Sequence, residues 1–139
     1  MSQQKNNYEG RHPIVLVVDD NPAIRDMVSW ALELDGCESA EAAEGYEALA
    51  WMDNASRQGR YPDVILLDLT MPGMDGHTFL SKLHAQWEAN HPLPAIVIIT
   101  ARVTDTDLST LGVEHVIVKP FHVRALLDLV RKLTTRIRT

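Results

Sequence analysis

The chain has one cysteine, Cys37, among its 139 residues. A single thiol cannot close an internal disulfide, which excludes the small disulfide-stabilised extracellular domains and favours a reducing compartment. No run of about 18 apolar residues is present, and the polar first residues lack the features of a secretory signal. We therefore expect a cytoplasmic protein that does not enter a membrane, with a flexible tail over residues 1–12 and one domain over residues 13–139.

Basic residues are also scarce, since 13 Lys and Arg residues stand against 19 Asp and Glu residues and give a formal net charge of −6. This balance argues against direct nucleic-acid binding, which depends on cations meeting phosphates. A glycine-rich phosphate cradle ending in Lys and Ser or Thr is absent as well, which excludes a P-loop nucleotide enzyme. Hydrophobic residues make up 45% of the chain, a proportion typical of a folded globular domain.

Short apolar runs alternate with longer helical patterns along the whole chain. This alternation predicts an α/β fold built from parallel βαβ units. The predicted strands cover residues 14–18, 37–42, 63–67, 95–99 and 115–118.

The helices between these strands are predicted from caps and apolar spacing. Asn21 and Pro22 favour a helix start, and Gly36 a helix end. The second helix is predicted to end before a polar loop over Asp53 to Arg60. A short helix is expected between Val103 and Glu114, and one final helix is expected to continue through Ile137. Three tryptophans on separate helical patterns are predicted to pack in the core: Trp30, Trp51 and Trp87.

Polar side chains follow the apolar strands at the points where they end. Asp19 and Asp20 follow the first strand, Asp68 the third, Thr100 the fourth and Lys119 the fifth. The carboxyl ends of parallel strands meet at one edge of a sheet, so these residues are expected to converge. Carboxylates suit Mg²⁺, and a carboxylate can also attack phosphorus. The sequence therefore predicts a site for a divalent metal and a phosphoryl group.

Four segments carry a family resemblance: Val17 to Asp20, Asp68 to Gly76, Thr100-Ala101, and Lys119 to Phe121. With them, the chain resembles the receiver domains of two-component response regulators, including the chemotaxis regulators, across nearly all of residues 13–138. The resemblance implies a flavodoxin-like five-stranded parallel sheet in the order 2-1-3-4-5, with helices on both faces.

The resemblance also implies a role for each matching residue. Asp68 corresponds to the phospho-acceptor, which receives phosphate from a sensor histidine kinase or a histidine phosphotransfer protein. Thr100 and Lys119 would contact the phosphoryl oxygens, and the peptide bond before Pro120 is expected to be cis. The implied Mg²⁺ ligands are Asp19, Asp20, Asp68 and the backbone carbonyl of Thr70.

Some positions depart from the family pattern or vary within it. Val116 stands where receivers often have a switch aromatic, so an aromatic rotation on activation is not expected. Thr70 and Arg102 occupy positions where family members tune the lifetime of the phosphoryl group. The stretch from Thr100 to Lys119 is about one helical turn shorter than is usual, on a face many receivers use for dimerising. A phosphorylation-linked dimer and the downstream protein target are left open.

The resemblance implies a switch that phosphorylates and dephosphorylates only itself and is not otherwise an enzyme. Two alternatives remain open. One is a pseudo-receiver that acts as an interaction module without phosphorylation. The other is an aspartyl-phosphate phosphatase, although those enzymes generally carry an acidic residue where this chain has Thr70. Whether the receiver stands alone or belongs to a longer chain is also left open.

Overall fold

The computed structural model describes residues 11–69, 76–87, 91–101, 113 and 115–138. Its strands are β1 (Ile14–Val18), β2 (Glu38–Ala42), β3 (Val64–Asp68), β4 (Ala95–Thr100) and β5 (His115–Val118). They form one parallel sheet in the order β2-β1-β3-β4-β5. The predicted α/β class and strand order are confirmed, and every predicted strand boundary lies within one residue of the observed one.

The helices of the described residues are α1 (Pro22–Leu34), α2 (Gly45–Arg57), α3 (Gly76–Gln86), α4 (Val123–Leu133) and the short α5 (Thr135–Arg138). None of these described helices combines the length and the apolar composition that a bilayer crossing requires. The helix predicted between Val103 and Glu114 falls almost wholly outside the described residues, as do residues 1–10 of the predicted tail.

Two apolar clusters cover the two faces of the sheet. On one face, Leu16 and Ile65 pack with Phe79 of α3, and residues of α2 complete that cluster. On the other face, Leu66 packs with Leu126 of α4, together with residues of α1. Successive side chains of a strand point to opposite faces, so a strand covered on both sides is apolar along its length. The expected placement of helices on both faces is confirmed.

The ends of α1 follow the local signals in the sequence. The Asn21 side-chain oxygen accepts hydrogen bonds from the backbone N–H groups of Ala23 at 2.9 Å and Ile24 at 3.2 Å. Pro22 occupies the first turn, where no intrahelical N–H bond is lost. Gly36 has a φ of 90°, the left-handed conformation that ends many helices. The predicted start and end of this helix are confirmed.

The loop predicted over Asp53 to Arg60 is wrong, because α2 continues to Arg57. Met52 and Ala55 are buried and continue the core-facing side of the helix. The polar residues between them lie on the solvent face, where Asp53 and Arg57 form an ion pair at 2.9 Å. A narrow buried face on which Gly45, Ala48 and Ala55 are small gives too weak an apolar pattern to predict this last part of the helix.

The final helical pattern is divided in two rather than continuous. Thr134 is buried between α4 and α5, and its hydroxyl donates to the carbonyl of Val130 at 2.7 Å. Ile137 of α5 is nevertheless buried, as its place in the apolar pattern predicts. The core positions were therefore predicted correctly, but the interruption of the helix was not.

The tryptophan prediction is confirmed for two of the three residues. Trp51 and Trp87 are partly buried and pack against the apolar cluster that contains Phe79. Trp30 is 65% exposed, so its predicted place in the core is wrong. Val28 and Leu32 of α1 are buried, and Trp30 lies two residues from each, which places it on the other side of the helix.

Candidate functional site

The strand register brings the predicted polar residues to one edge of the sheet. Asp68 pairs with Ile99 of β4, one residue before Thr100. Thr100 pairs in turn with Val118 of β5, one residue before Lys119. The backbone N–H of Lys119 donates to the carbonyl of Thr100 at 2.8 Å. The ends of β3, β4 and β5 therefore stand side by side.

Asp19, Asp20 and Asp68 form an acidic cluster at this edge. Each offers a carboxylate oxygen, and these three oxygens all lie within 4.8 Å of one another. Asp19 and Asp68 are each only 2% exposed, whereas Asp20 is exposed. Two buried carboxylates and one accessible carboxylate therefore share a small volume, where an unneutralised group of like charges is unfavourable.

Lys119 supplies a positive charge to this cluster. Its Nζ lies 3.2 Å from Asp19 Oδ2 and 3.4 Å from Asp68 Oδ2. Burial disfavours the charged ammonium and acts to lower its pKa, but the charges and hydrogen bonds of Asp68 and Asp19 outweigh it. The net result is a pKa of Lys119 raised above the ordinary value. The side chain is therefore a cation at neutral pH.

Asp19 is held from several directions. Its N–H donates to the carbonyl of Ala42 at 3.1 Å, and its Oδ1 accepts from the N–H of Asn21 at 2.9 Å. Arg25 of α1 donates through Nη1 to the Asp19 carbonyl at 2.8 Å. The sequence prediction did not include Arg25. The only available signal was a cation one helical turn after the Asn21 cap, and spacing alone does not reveal a bond to a main-chain carbonyl.

Thr100 ends β4, and Val116 lies within the neighbouring strand β5. Thr100 is 2% exposed at the end of β4. Val116 pairs with Ile98 and packs, partly buried, against the apolar cluster that contains Ile98. The bond between Lys119 and Pro120 is cis, as the resemblance implied. An aliphatic side chain therefore occupies the β5 position where an aromatic is common.

Two predicted site residues lie outside the described residues. Thr70, with its expected carbonyl ligand and modulating side chain, falls in the stretch 70–75 between the described residues. Arg102 begins the segment that follows Ala101. Their predicted roles therefore rest on the sequence.

The donor set fits a small, hard cation. Mg²⁺ prefers oxygen ligands and is commonly held by one or two carboxylates together with water and phosphate oxygens. Asp19, Asp20 and Asp68 provide such oxygens, and the exposure of Asp20 gives access from solvent. The single ammonium of Lys119 offsets only part of the charge of three carboxylates. The cluster therefore retains an attraction for a divalent cation.

A family model described as the response regulator receiver domain matches residues 15–131. The chain belongs to this family. A relative of this receiver domain is the probable transcriptional regulatory protein TcrX of Mycobacterium tuberculosis, 33% identical over 130 residues, which are 92% of this chain and 52% of TcrX. Another is the sensor histidine kinase CheAY of Helicobacter pylori, 32% identical over 95% of this chain and 17% of CheAY. The chain thus spans about half the length of the first of these curated relatives, and much less of the second.

Solved receiver structures have the same architecture. The chemotaxis protein CheY4 of Vibrio cholerae is 32% identical with a TM-score of 0.74, covering 88% of this chain and 98% of that one. A CheX–CheY–BeF3–Mg²⁺ complex from Borrelia burgdorferi is 27% identical with a TM-score of 0.72, covering 87% of this chain and 88% of that one. The flavodoxin-like receiver fold inferred from the motifs is confirmed.

Membership of the family establishes the general class of activity. Receiver domains are signalling switches of two-component systems and are generally not catalytic enzymes. They interact with histidine kinases and phosphotransfer proteins. They bind Mg²⁺ at an acidic pocket, and the acidic cluster of this receiver domain is compatible with such binding.

Proposed function

We propose that this chain is a phosphorylation switch in a two-component phosphorelay, with Asp68 as the phospho-acceptor. The observation that carries the proposal is the convergence of Asp68 with Asp19, Asp20 and Lys119 at the carboxyl edge of the sheet. Phosphoryl transfer needs alignment and neutralisation of charge more than it needs covalent chemistry from the protein. This edge supplies a carboxylate nucleophile, metal-binding oxygens and a cation together.

In the proposed reaction, an Asp68 carboxylate oxygen forms a bond to phosphorus while the bond between phosphorus and the donor's imidazole nitrogen breaks. A proton from solvent neutralises the leaving nitrogen, and the product is an aspartyl phosphate. Lys119 stabilises the charge on the phosphoryl oxygens, and Thr100 donates a hydrogen bond to one of them. The phosphodonor is a sensor histidine kinase or a histidine phosphotransfer protein.

Mg²⁺, when bound, would neutralise the charge that accumulates on the phosphoryl oxygens. Asp19, Asp20 and Asp68 would hold it, with the backbone carbonyl of Thr70 as a further ligand. We assign Thr70 and Arg102 to the control of the phosphoryl lifetime, and Val116 to a signalling response without an aromatic rotation. Pro120 has a structural role after Lys119.

The proposed switch is the receiver domain over residues 13–139, which follows the tail at residues 1–12. We expect it to act in the cytoplasm. Phosphorylation would shift a balance between two conformations that a protein partner distinguishes, with no direct contact to nucleic acid or membrane. The phosphorylated protein is the form to use when searching for this partner and for any phosphorylation-linked dimer.

The deciding experiment is the intact mass of the protein after incubation with acetyl phosphate, with and without Mg²⁺. The wild type is expected to gain one phosphoryl group only when Mg²⁺ is present. Asp68→Asn is expected to gain none, while Asp53→Asn, at an exposed position on α2, should behave as the wild type does. Equal uptake by Asp68→Asn would show that the acceptor is assigned wrongly.

Two other results would favour the alternatives. No uptake under conditions that label a known receiver would identify an interaction module without phosphorylation. Repeated release of phosphate from an added phosphomonoester, lost in Asp68→Asn, would identify a phosphatase.

A further inference from the structure

Arg25 connects three elements around the acidic cluster. It lies in α1, and its Nη1 donates to the carbonyl oxygen of Asp19, directly after β1, at 2.8 Å. Its Nε donates to Oε1 of Glu41, near the end of β2, at 3.1 Å. The Arg25 side chain is only 18% exposed. One guanidinium thus links the Glu41 carboxylate of β2 to the backbone carbonyl of Asp19.

The carbonyl that Arg25 contacts belongs to the peptide unit joining Asp19 to Asp20. A peptide unit is planar and rigid, so fixing its oxygen also fixes the direction of the following N–H and Cα. The orientation of this plane is therefore one of the determinants of how the carboxylates of Asp19 and Asp20 stand relative to each other, beside the side-chain rotations of the two residues.

The two carboxylates differ in how they are otherwise held. Asp19 has hydrogen bonds to the N–H of Asn21 and to Nζ of Lys119 at its two oxygens. Asp20 is exposed, and no residue in the described part of the chain donates a hydrogen bond to its carboxylate. Apart from its own side-chain rotations, the Asp20 carboxylate is therefore positioned by its backbone, and Arg25 restrains the peptide unit that leads into it.

We propose that Arg25 is a positioning residue for the metal site: anchored by Glu41, it fixes the Asp19–Asp20 peptide so that both carboxylates face the same cation. The inference rests on the proposed function for its consequence in phosphoryl transfer. Arginine suits the role because its planar fork bonds two acceptors at once, whereas a lysine ammonium lacks that fixed geometry.

The loss of charge and the loss of positioning predict opposite changes in Mg²⁺ affinity when Arg25 is replaced. Arg25 is a cation near an acidic cluster, so removing its charge alone should tighten Mg²⁺ binding, by about threefold at low ionic strength. If Arg25 positions the ligands, its loss should weaken binding. Groups that orient metal ligands typically contribute about 10–100-fold to metal affinity, and the lower end is expected for an effect through the backbone.

The test is a Mg²⁺ titration of the full chain followed by amide ¹H–¹⁵N spectra, comparing Arg25→Gln, Arg25→Lys and Glu41→Gln with the wild type. Arg25→Gln is expected to raise the Kd for Mg²⁺ by about tenfold, with Arg25→Lys in between. If Arg25 depends on its anchor Glu41, Arg25→Gln should raise the Kd for Mg²⁺ less in a Glu41→Gln background than in the wild type. Arg57→Gln, which also removes an arginine from an ion pair, is the matched control.

A second measurement does not depend on the metal. In the Mg²⁺-free protein, Arg25→Gln and Arg25→Lys should change the ¹³C shift of the Asp19 carbonyl, which Arg25 contacts, and the ¹H–¹⁵N shifts of the Asp20 amide in the same peptide unit. Arg57→Gln should change neither. An unchanged or lower Kd, or an unaffected Asp19–Asp20 peptide, would overturn the role of Arg25. That result would leave Mg²⁺-dependent phosphorylation of Asp68 intact, so failure of this inference and failure of the proposed function are distinguishable.

Discussion

Lys119 and Asp68 are in contact although a whole strand separates them in the sheet. Lys119 follows β5 and Asp68 ends β3, with β4 between these strands, yet Nζ of Lys119 lies 3.4 Å from Oδ2 of Asp68. Two strand spacings amount to about 10 Å, which only a long side chain can cross. The same ammonium lies 3.2 Å from Asp19. A single flexible cation therefore joins two buried carboxylates.

Replacing Lys119 with methionine should destabilise the protein when no Mg²⁺ is present. The change keeps a long apolar stem but leaves Asp19 and Asp68 without the ammonium between them, at an expected cost of about 1–3 kcal/mol. Because a divalent cation can take over the neutralisation, added Mg²⁺ should stabilise Lys119→Met more than it stabilises the wild type. Urea unfolding with and without Mg²⁺ measures both quantities.

The same variant should still accept a phosphoryl group, because Asp68 and the proposed metal ligands are intact, while the structural response to phosphorylation is impaired. Arg57→Met is a suitable control, since it removes a cation from an exposed ion pair on α2. Equal stabilisation of Lys119→Met and the wild type by Mg²⁺ would contradict the idea that the lysine and the metal neutralise the same carboxylates.

At the other end of the sheet, Asp63 is predicted to contribute to stability rather than to signalling. Arg11 donates to both oxygens of Asp63, at 2.7 and 2.9 Å, and the N–H of Ile14 donates to Asp63 at 2.8 Å. Asp63→Ala should lower the free energy of unfolding by about 1–3 kcal/mol, with Asp63→Asn in between. The more exposed pair of Asp53 and Arg57 should contribute less than about 0.5 kcal/mol, as measured on Arg57→Ala.

Phosphoryl uptake should be normal in Asp63→Ala under conditions where the variant is folded. A loss of uptake in fully folded protein would mean that the two ends of the sheet are coupled, contrary to this assignment.

Much of the fold was predictable because its signals are local or repeated. The buried strands are continuous apolar runs, and α1 begins at Asn21 and Pro22 with capping bonds that the sequence itself indicates. The end of α2 was missed because Ala48 and Ala55 contribute little to a hydrophobic pattern although both are buried. Burial of alanine is decided by how closely helix and sheet approach, and sequence spacing does not give that distance.

Ala55 provides a test of the corrected α2. Ala55→Asp places a charge at a buried helix position and should lower the free energy of unfolding by about 3 kcal/mol. Asn54→Asp, one residue earlier and exposed, makes a similar change in charge and should alter it by less than about 0.5 kcal/mol. Similar effects from both variants would indicate that residues 53–57 are not packed as a helix.

The candidate site was predictable where residues follow strand ends and unpredictable where they act through the backbone. Asp19, Asp68 and Lys119 were found because parallel strands align their carboxyl ends. The bond from Arg25 to the Asp19 carbonyl leaves no side-chain pattern in the sequence. Trp30 shows a different limit, since it lies off the face of α1 that carries Val28 and Leu32, and a large apolar side chain is not always buried.

Thr100 is predicted to link phosphorylation to the conformational response. It is buried at the end of β4, beside Lys119, and its hydroxyl is assigned to a phosphoryl oxygen. Thr100→Val preserves the β-branched shape but removes the donor, whereas Thr100→Ser keeps the donor. A hydrogen bond to a charged group contributes about 1.5–3 kcal/mol, so Thr100→Val should shift the balance between the two conformations about tenfold or more toward the inactive one.

Amide ¹H–¹⁵N spectra before and after phosphorylation measure this balance. In the wild type and in Thr100→Ser, shift changes should extend from Asp68 into β5 and α4. In Thr100→Val, the protein should take up the phosphoryl group to the same extent by mass, while the changes stay close to Asp68. Because Val116 provides no aromatic to carry the response, the Thr100 hydroxyl should matter more here than in a receiver with both groups. Undiminished shift changes in phosphorylated Thr100→Val would instead place the switch in Lys119 or in another element.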